Sequence, residues 1–129
     1  MYKRQGSALD FYAPDLYASN FTDWCRRYHR DGNPLFMPEA QGRSTAAANV
    51  FYALGEEAGF GFSPFAIEDE ADPKGDLAAS YRLLATLEPL IVAHQTDGTV
   101  HGFVLNQENP SIDFVMQGYI CLLYTSRCV

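Results

Sequence analysis

Asn33-Pro34-Leu35-Phe36-Met37-Pro38-Glu39-Ala40 is the stretch on which the reading of this chain turns. Leu35, Phe36 and Met37 form an unbroken apolar run rather than the alternation of a strand with one wet face, so they read as a buried strand. Pro34 and Pro38 bracket the run, and Glu39 stands where the chain leaves it. A strand buried in this way needs helices or further strands around it.

Upstream, Leu9-Asp10-Phe11-Tyr12-Ala13-Pro14 reads as another buried strand ending in a proline-marked loop that continues through Asp15-Leu16-Tyr17. Asn20 is placed to cap a helix from about Phe21 to Arg30, with Phe21, Trp24, Cys25 and Tyr28 on one apolar face. Asp31-Gly32-Asn33-Pro34 stops that helix, with glycine suited to a left-handed turn. Downstream, a helix from about Ser44 to Glu57 buries Ala47, Val50, Phe51 and Leu54. Phe60-Gly61-Phe62-Ser63-Pro64-Phe65 is a third strand with its exit, and an acidic loop runs from Glu68 to Asp76. A helix from about Leu77 to His94 follows, with Pro89 removing one backbone hydrogen bond and predicting a kink. Strand and helix alternate three times, the pattern of parallel βα units. After Thr96–Thr99 the pattern changes to two strands, His101–Leu105 and Ile112–Met116, joined as a hairpin. Three βα units are too few to close a barrel, so open sheet edges and poor folding of the piece alone are expected.

The bulk numbers exclude several functions. At 129 residues, 47% hydrophobic and 19% charged, the chain can bury one core. A net charge of -7 repels phosphate backbones, which argues against nucleic acid as a partner. No apolar run reaches the ~18 residues of a membrane span, and no signal peptide opens the chain. Cys25, Cys121 and Cys128 have no paired spacing, and His29, His94 and His101 are scattered, so neither a disulfide framework nor a metal site is expected, and no cofactor is implied. The aromatic content of 14% suits either a packed core or faces that stack on sugar rings.

In barrels of βα units the reactive groups gather at the carboxyl ends of strands. Three strand exits then matter: Tyr12–Tyr17, Glu39–Arg43 and Phe62–Glu68. Glu39 is the residue to explain, because a carboxylate directly after an apolar run is costly to desolvate. Spacing alone leaves open a catalytic carboxylate and a structural one paired with Arg43.

The segments Leu9–Tyr17, Asn33–Ala40 (P-L-F-M-P-E-A within it) and Gly61–Glu68 resemble bacterial family 35 glycoside hydrolases, β-galactosidase-like enzymes of the retaining (β/α)8 clan. Gly102–Leu105, Glu108–Pro110 and Gly118–Tyr119 resemble the start of the β-rich domain that follows the barrel in one bacterial branch. The resemblance covers about Leu9 to Tyr119 and implies an α/β fold. Residues 1–96 would be the last part of a (β/α)8 TIM barrel, about strands 6 to 8, and 97–119 the first strands of the β domain. It implies that Glu39, at the end of the seventh strand, is the nucleophile toward a β-galactoside or related β-glycoside. The general acid/base would lie on the fourth strand, upstream of Met1, leaving this stretch inactive alone. Tyr12, Asp15 and Tyr17 would hydrogen-bond the nucleophile or the sugar, and Phe62 and Phe65 would wall the sugar site or pack in the core. A secreted or periplasmic location is a family-level implication. A carbohydrate-binding protein without catalysis and a purely structural α/β domain are the alternatives.

Residues 120–129 read differently. Cys121–Ser126 back-translate to TGT CTC TTA TAC ACA TCT, the mosaic-end adaptor of transposase-made sequencing libraries, and its inverted copy reads Arg127, Cys128, Val129 and a stop. The alternative is a short apolar strand, Ile120–Tyr124, finishing a sheet. Reading the source DNA through codon 129 and outward is expected to find the adaptor followed by its inverted copy. Uninterrupted genomic sequence at those codons refutes the adaptor origin.

Overall fold

The computed structural model describes residues 9–70, 72–105, 110–116 and 119–124. They form a mixed α/β structure with three α-helices, a three-stranded parallel sheet and a two-stranded antiparallel hairpin. The order is β1 (Asp15–Leu16), α1 (Phe21–Tyr28), β2 (Phe36–Ala40), α2 (Arg43–Gly55), β3 (Gly61–Pro64), a 3-10 turn (Ile67–Asp69), α3 (Asp76–His94), β4 (Ser111–Met116) and β5 (Tyr119–Tyr124).

The parallel strands lie side by side in chain order, β1-β2-β3. Parallel neighbours joined through a helix cross over right-handedly almost without exception, so successive steps in one direction deliver their helices to one face. Burial agrees. Leu16, Met37, Ala40 and Phe62 are buried, whereas Asp15, Pro38 and Ser63, on the opposite side, are exposed. Leu35 and Met37 are 1% and 0% exposed, and each such side chain contributes roughly 1.5–3 kcal/mol by leaving water. The covering helices use the expected faces with small rotations. Phe21 and Cys25 of α1, Ala46, Ala47, Val50 and Ala53 of α2, and Leu77 and Leu84 of α3 form the core. Among the described residues no helix covers the other face of the sheet, which carries an aromatic cluster: Phe36 stacks on Phe60 at 5.1 Å, and Phe11 sits edge-on to Phe60 at 5.5 Å.

The amino ends of the strands are tied by polar groups. Asn33 accepts from the Tyr12 amide at 2.7 Å and donates to the Tyr12 and Tyr28 carbonyls at 3.1 and 2.6 Å. Glu57, buried just beyond α2, accepts from the Tyr52 hydroxyl at 2.7 Å, meets His29 Nδ1 at 3.0 Å and has Arg26 Nε at 3.8 Å. Burial, then the Glu57 charge, pushes the fully enclosed Cys25 thiol up to about 12, which leaves it an inert apolar filler. Burial and the same carboxylate raise the Tyr52 phenol.

Several expectations need correction. The first strand is Asp15–Leu16, not Leu9–Pro14, because the side chain of Asn33 takes the hydrogen bonds of Tyr12 that a ladder would use. Helix α1 ends at Tyr28 rather than Arg30, where His29 turns extended and closes onto Cys25 O. Asn20 stands at the N-cap but makes no side-chain cap bond. Gly32 takes the left-handed turn as expected, at φ 71°. Alanines do the same on both sides of β3, Ala58 at φ 47° and Ala66 at φ 54°. Segment His101–Leu105 is not a strand; β4 pairs instead with β5, in register from Ser111↔Tyr124 to Met116↔Tyr119. Residues Cys121–Tyr124 of the tail therefore lie in β5, and 125–129 lie outside the described residues.

Segment 101–105 is instead laid against α2. A Cβ on Gly102 would stand 2.1 Å from the Phe51 carbonyl oxygen, and one on Gly55 would stand 3.1 Å from the Gly102 backbone. Only two glycines allow that approach. Gly102→Ala is expected to push the segment off α2 and lower stability by about 1–3 kcal/mol, read as a drop in Tm; an unchanged Tm would show that the segment is not held there.

Candidate functional site

The carboxyl end of the sheet is organised by an irregularity in β2. Between the pairs Met37↔Phe62 and Ala40↔Pro64, β2 advances three residues while β3 advances two. One extra residue is thus accommodated beside Pro38, which has no N–H to give to a ladder. In a regular strand Glu39 would share the helix-covered face with Met37. After the bulge it is Ala40 that is buried, and Glu39 stands in register with exposed Asp15 on the open side. The bulge moves a carboxylate out of the core layer.

Tyr17 follows β1 directly and reaches across to Glu39, its hydroxyl donating to Glu39 Oε1. The Leu16 carbonyl accepts from the Gln41 amide at 3.1 Å, so the two loops leave the sheet fastened together. The hydrogen bond to Glu39, then the desolvation and nearby charges of Glu39 and Asp15, push the Tyr17 phenol from 10.0 up to about 12. At neutral pH Tyr17 is therefore a donor, and Glu39 an oriented acceptor. Phe65 closes the third side. Its amide donates to the Ala40 carbonyl at 2.8 Å, and its ring meets the Tyr17 ring edge-on at 6.4 Å while remaining 58% exposed.

Of the residues expected at this site, Glu39, Asp15, Tyr17 and Phe65 are brought together. Tyr12 is held through its backbone by Asn33, ahead of β2 and at the other end of the sheet. Phe62 faces the helices, its ring 6.2 Å from Phe21, which is the core role weighed for it. The Arg43 side chain lies outside what is described, and Glu39 has no ion pair among the described residues. Gln41, Gly42 and the bulge had no signal beyond Pro38 itself. Among the described residues no group of three His, Cys, Asp or Glu could hold a metal ion, and no helix is long and apolar enough to cross a membrane.

A family model described as "Domain of unknown function (DUF5597)" matches residues 77–126, from the first turn of α3 through β5. The match covers fewer than half of the residues and includes none of Tyr17, Glu39 and Phe65. No curated protein matches the chain.

The Tyr17 phenol gives a direct check of the pair. Its folded pKa is raised, so the stabilisation from its hydrogen bond is fully present below pH 10.0 and disappears as pH rises toward about 12. Phenolate absorbance in the Tyr17→Phe difference spectrum is expected to appear near pH 12 and to move toward 10.0 in Glu39→Gln. A Tyr17 that titrates near 10.0 in both would refute the contact.

Proposed function

We propose that this chain carries the nucleophile end of a retaining β-glycosidase acting on β-galactosides or related β-glycosides, with its sheet as about strands 6 to 8 of a (β/α)8 barrel. The single observation that carries this reading is the Tyr17 hydroxyl bound to Glu39 at the carboxyl end of the central parallel strand. Two features support it. Strands in sequential order with helices on one face are what a barrel wall requires, since its other face must meet the opposite wall. The aromatic cluster of Phe11, Phe36 and Phe60 is an apolar surface suited to such an interior.

In this reading Glu39 attacks the anomeric carbon and forms a glycosyl ester, while a second carboxyl about 5–5.5 Å away protonates the leaving oxygen and later activates water. Tyr17 holds Glu39 aimed, because its hydroxyl donates to Glu39 Oε1. Asp15 and the Phe65 ring border the sugar. Residues 97–119, which include β4, begin the domain after the barrel.

In the longer protein that contains these residues, Glu39→Gln is expected to abolish hydrolysis of aryl β-galactosides. Tyr17→Phe is expected to lower kcat by roughly ten- to a hundredfold, the worth of one hydrogen bond to a charged group. Retained turnover in Glu39→Gln sinks the assignment; a loss of folding alone, without the kcat effect in Tyr17→Phe, would favour a structural carboxylate.

A further inference from the structure

Among the described residues four strands form sheet edges: β1 and β3 bound the parallel sheet, β4 and β5 the hairpin. An edge strand offers unpaired N–H and C=O groups to any other chain, and proteins blunt such edges by shortness, proline or charge. β1 has two residues and follows Pro14, and β3 has four and ends in Pro64. β4 follows Pro110 and carries Asp113. β5 has none of these guards. Its residues, Tyr119-Ile120-Cys121-Leu122-Leu123-Tyr124, contain no charge, proline or glycine. Six such residues with aromatic, β-branched and apolar side chains have the composition of segments that add strand to strand. β4 occupies one side of β5, and the other side has no partner among the described residues.

Symmetry and sheet size say what pairs there. A two-stranded hairpin is marginal in water, and a stable sheet needs at least a third strand or a packed helix. This hairpin is held to the rest of the molecule through Phe114, whose ring lies 4.6 Å from that of Phe103 and 5.9 Å from that of His101. A strand that pairs antiparallel is complementary to its own copy. Turned about a two-fold axis, Tyr119 meets the partner's Tyr124 and Cys121 meets the partner's Leu122, so both copies give and receive the same bonds. The product is one four-stranded sheet, β4-β5-β5-β4. Its outer strands are the guarded β4 of each copy, so the association closes at two. On the adaptor reading of Cys121–Ser126, four of the six residues of β5 were never selected against pairing, which accounts for the missing guards.

We propose that β5 is a self-association edge, by which two copies of this chain pair antiparallel into one four-stranded sheet. The pairing is independent of the role given to Glu39. Sedimentation velocity of the 129-residue chain, in reducing agent to exclude disulfides through Cys121, is expected to show a monomer–dimer equilibrium as concentration rises. Leu122→Lys is the discriminating variant. It sets a positive charge opposite Asp113 in the hairpin, a pairing that favours β4·β5, and brings two like charges to the axis of the dimer. It is expected to weaken association at least about tenfold. Val115→Lys, at a position 69% exposed on β4, is expected to leave it unchanged. Amide exchange is followed in parallel, and the β5 amides not bound to β4 are expected to become protected on association. A chain that stays monomeric, a Leu122→Lys that associates as before, or equal losses in both variants overturns the edge, the last pointing to the hairpin face instead. Should Leu122→Lys unfold the hairpin, exchange in the unaltered chain decides: new protection confined to β5 upholds the edge, and its absence from β5 refutes it.

Discussion

A proline in the central strand of a parallel sheet is the constraint around which this structure is arranged. Pro38 has no N–H, yet β2 has neighbours on both sides. The strand resolves the conflict by taking in one extra residue between Met37 and Ala40, and that residue changes which face the following side chains occupy. Met37 ahead of it and Ala40 behind it both stay in the core, and Glu39 alone is displaced to the open side. The position of Tyr17, the register of Asp15 and the path of the loop to Gly42 all follow from that displacement.

The two ends of the sheet divide the work. At the amino end every buried polar group is satisfied locally: Asn33 serves two carbonyls and one amide, and Glu57 gathers Tyr52, His29 and Arg26. No buried side-chain polar atom among the described residues is left without a partner. These contacts fasten α1 to the turn after α2. At the carboxyl end the polar groups are instead exposed or half-exposed: Glu39, Tyr17, Asp15 and the carboxylates of the loop after β3. Enclosed and exposed polar groups are thus kept at opposite ends of the sheet.

Much of the framework was legible in the sequence. Helices α2 and α3 begin and end within two residues of their expected limits, because their apolar positions recur at helical spacing and their breakers are unambiguous. Leu35–Met37 was recognisable as buried because three apolar residues in succession leave no wet face. Short strands were less legible. β1 is two residues long, and its predicted span was displaced because a side chain, Asn33, substitutes for the ladder at Tyr12, which no pattern of hydropathy encodes. His101–Leu105 has the composition of a strand, yet the close approach of Gly102 to Phe51 governs it instead. Glu39 and Tyr17 stood out as candidates, but their contact depends on a one-residue bulge, and parity along a strand cannot be counted through a bulge from sequence. Phe62 takes the core role that was weighed for it, and Tyr12 lies before β1, held through its backbone by Asn33: position near a strand exit does not say which end or which face a side chain occupies.

The two left-handed alanines on either side of β3 bear on how this sequence can drift. Ala58 and Ala66 each occupy a conformation that glycine enters freely, asparagine and aspartate tolerate, and β-branched residues avoid. Each position therefore admits a narrow alphabet, and glycine is a replacement that would leave the chain less strained than it is now. At Ala66 such relief has a counterpart. A looser hinge directly after Phe65 would let that ring sample more orientations, so the same exchange that favours the fold would loosen its edge-on contact with Tyr17 beside Glu39.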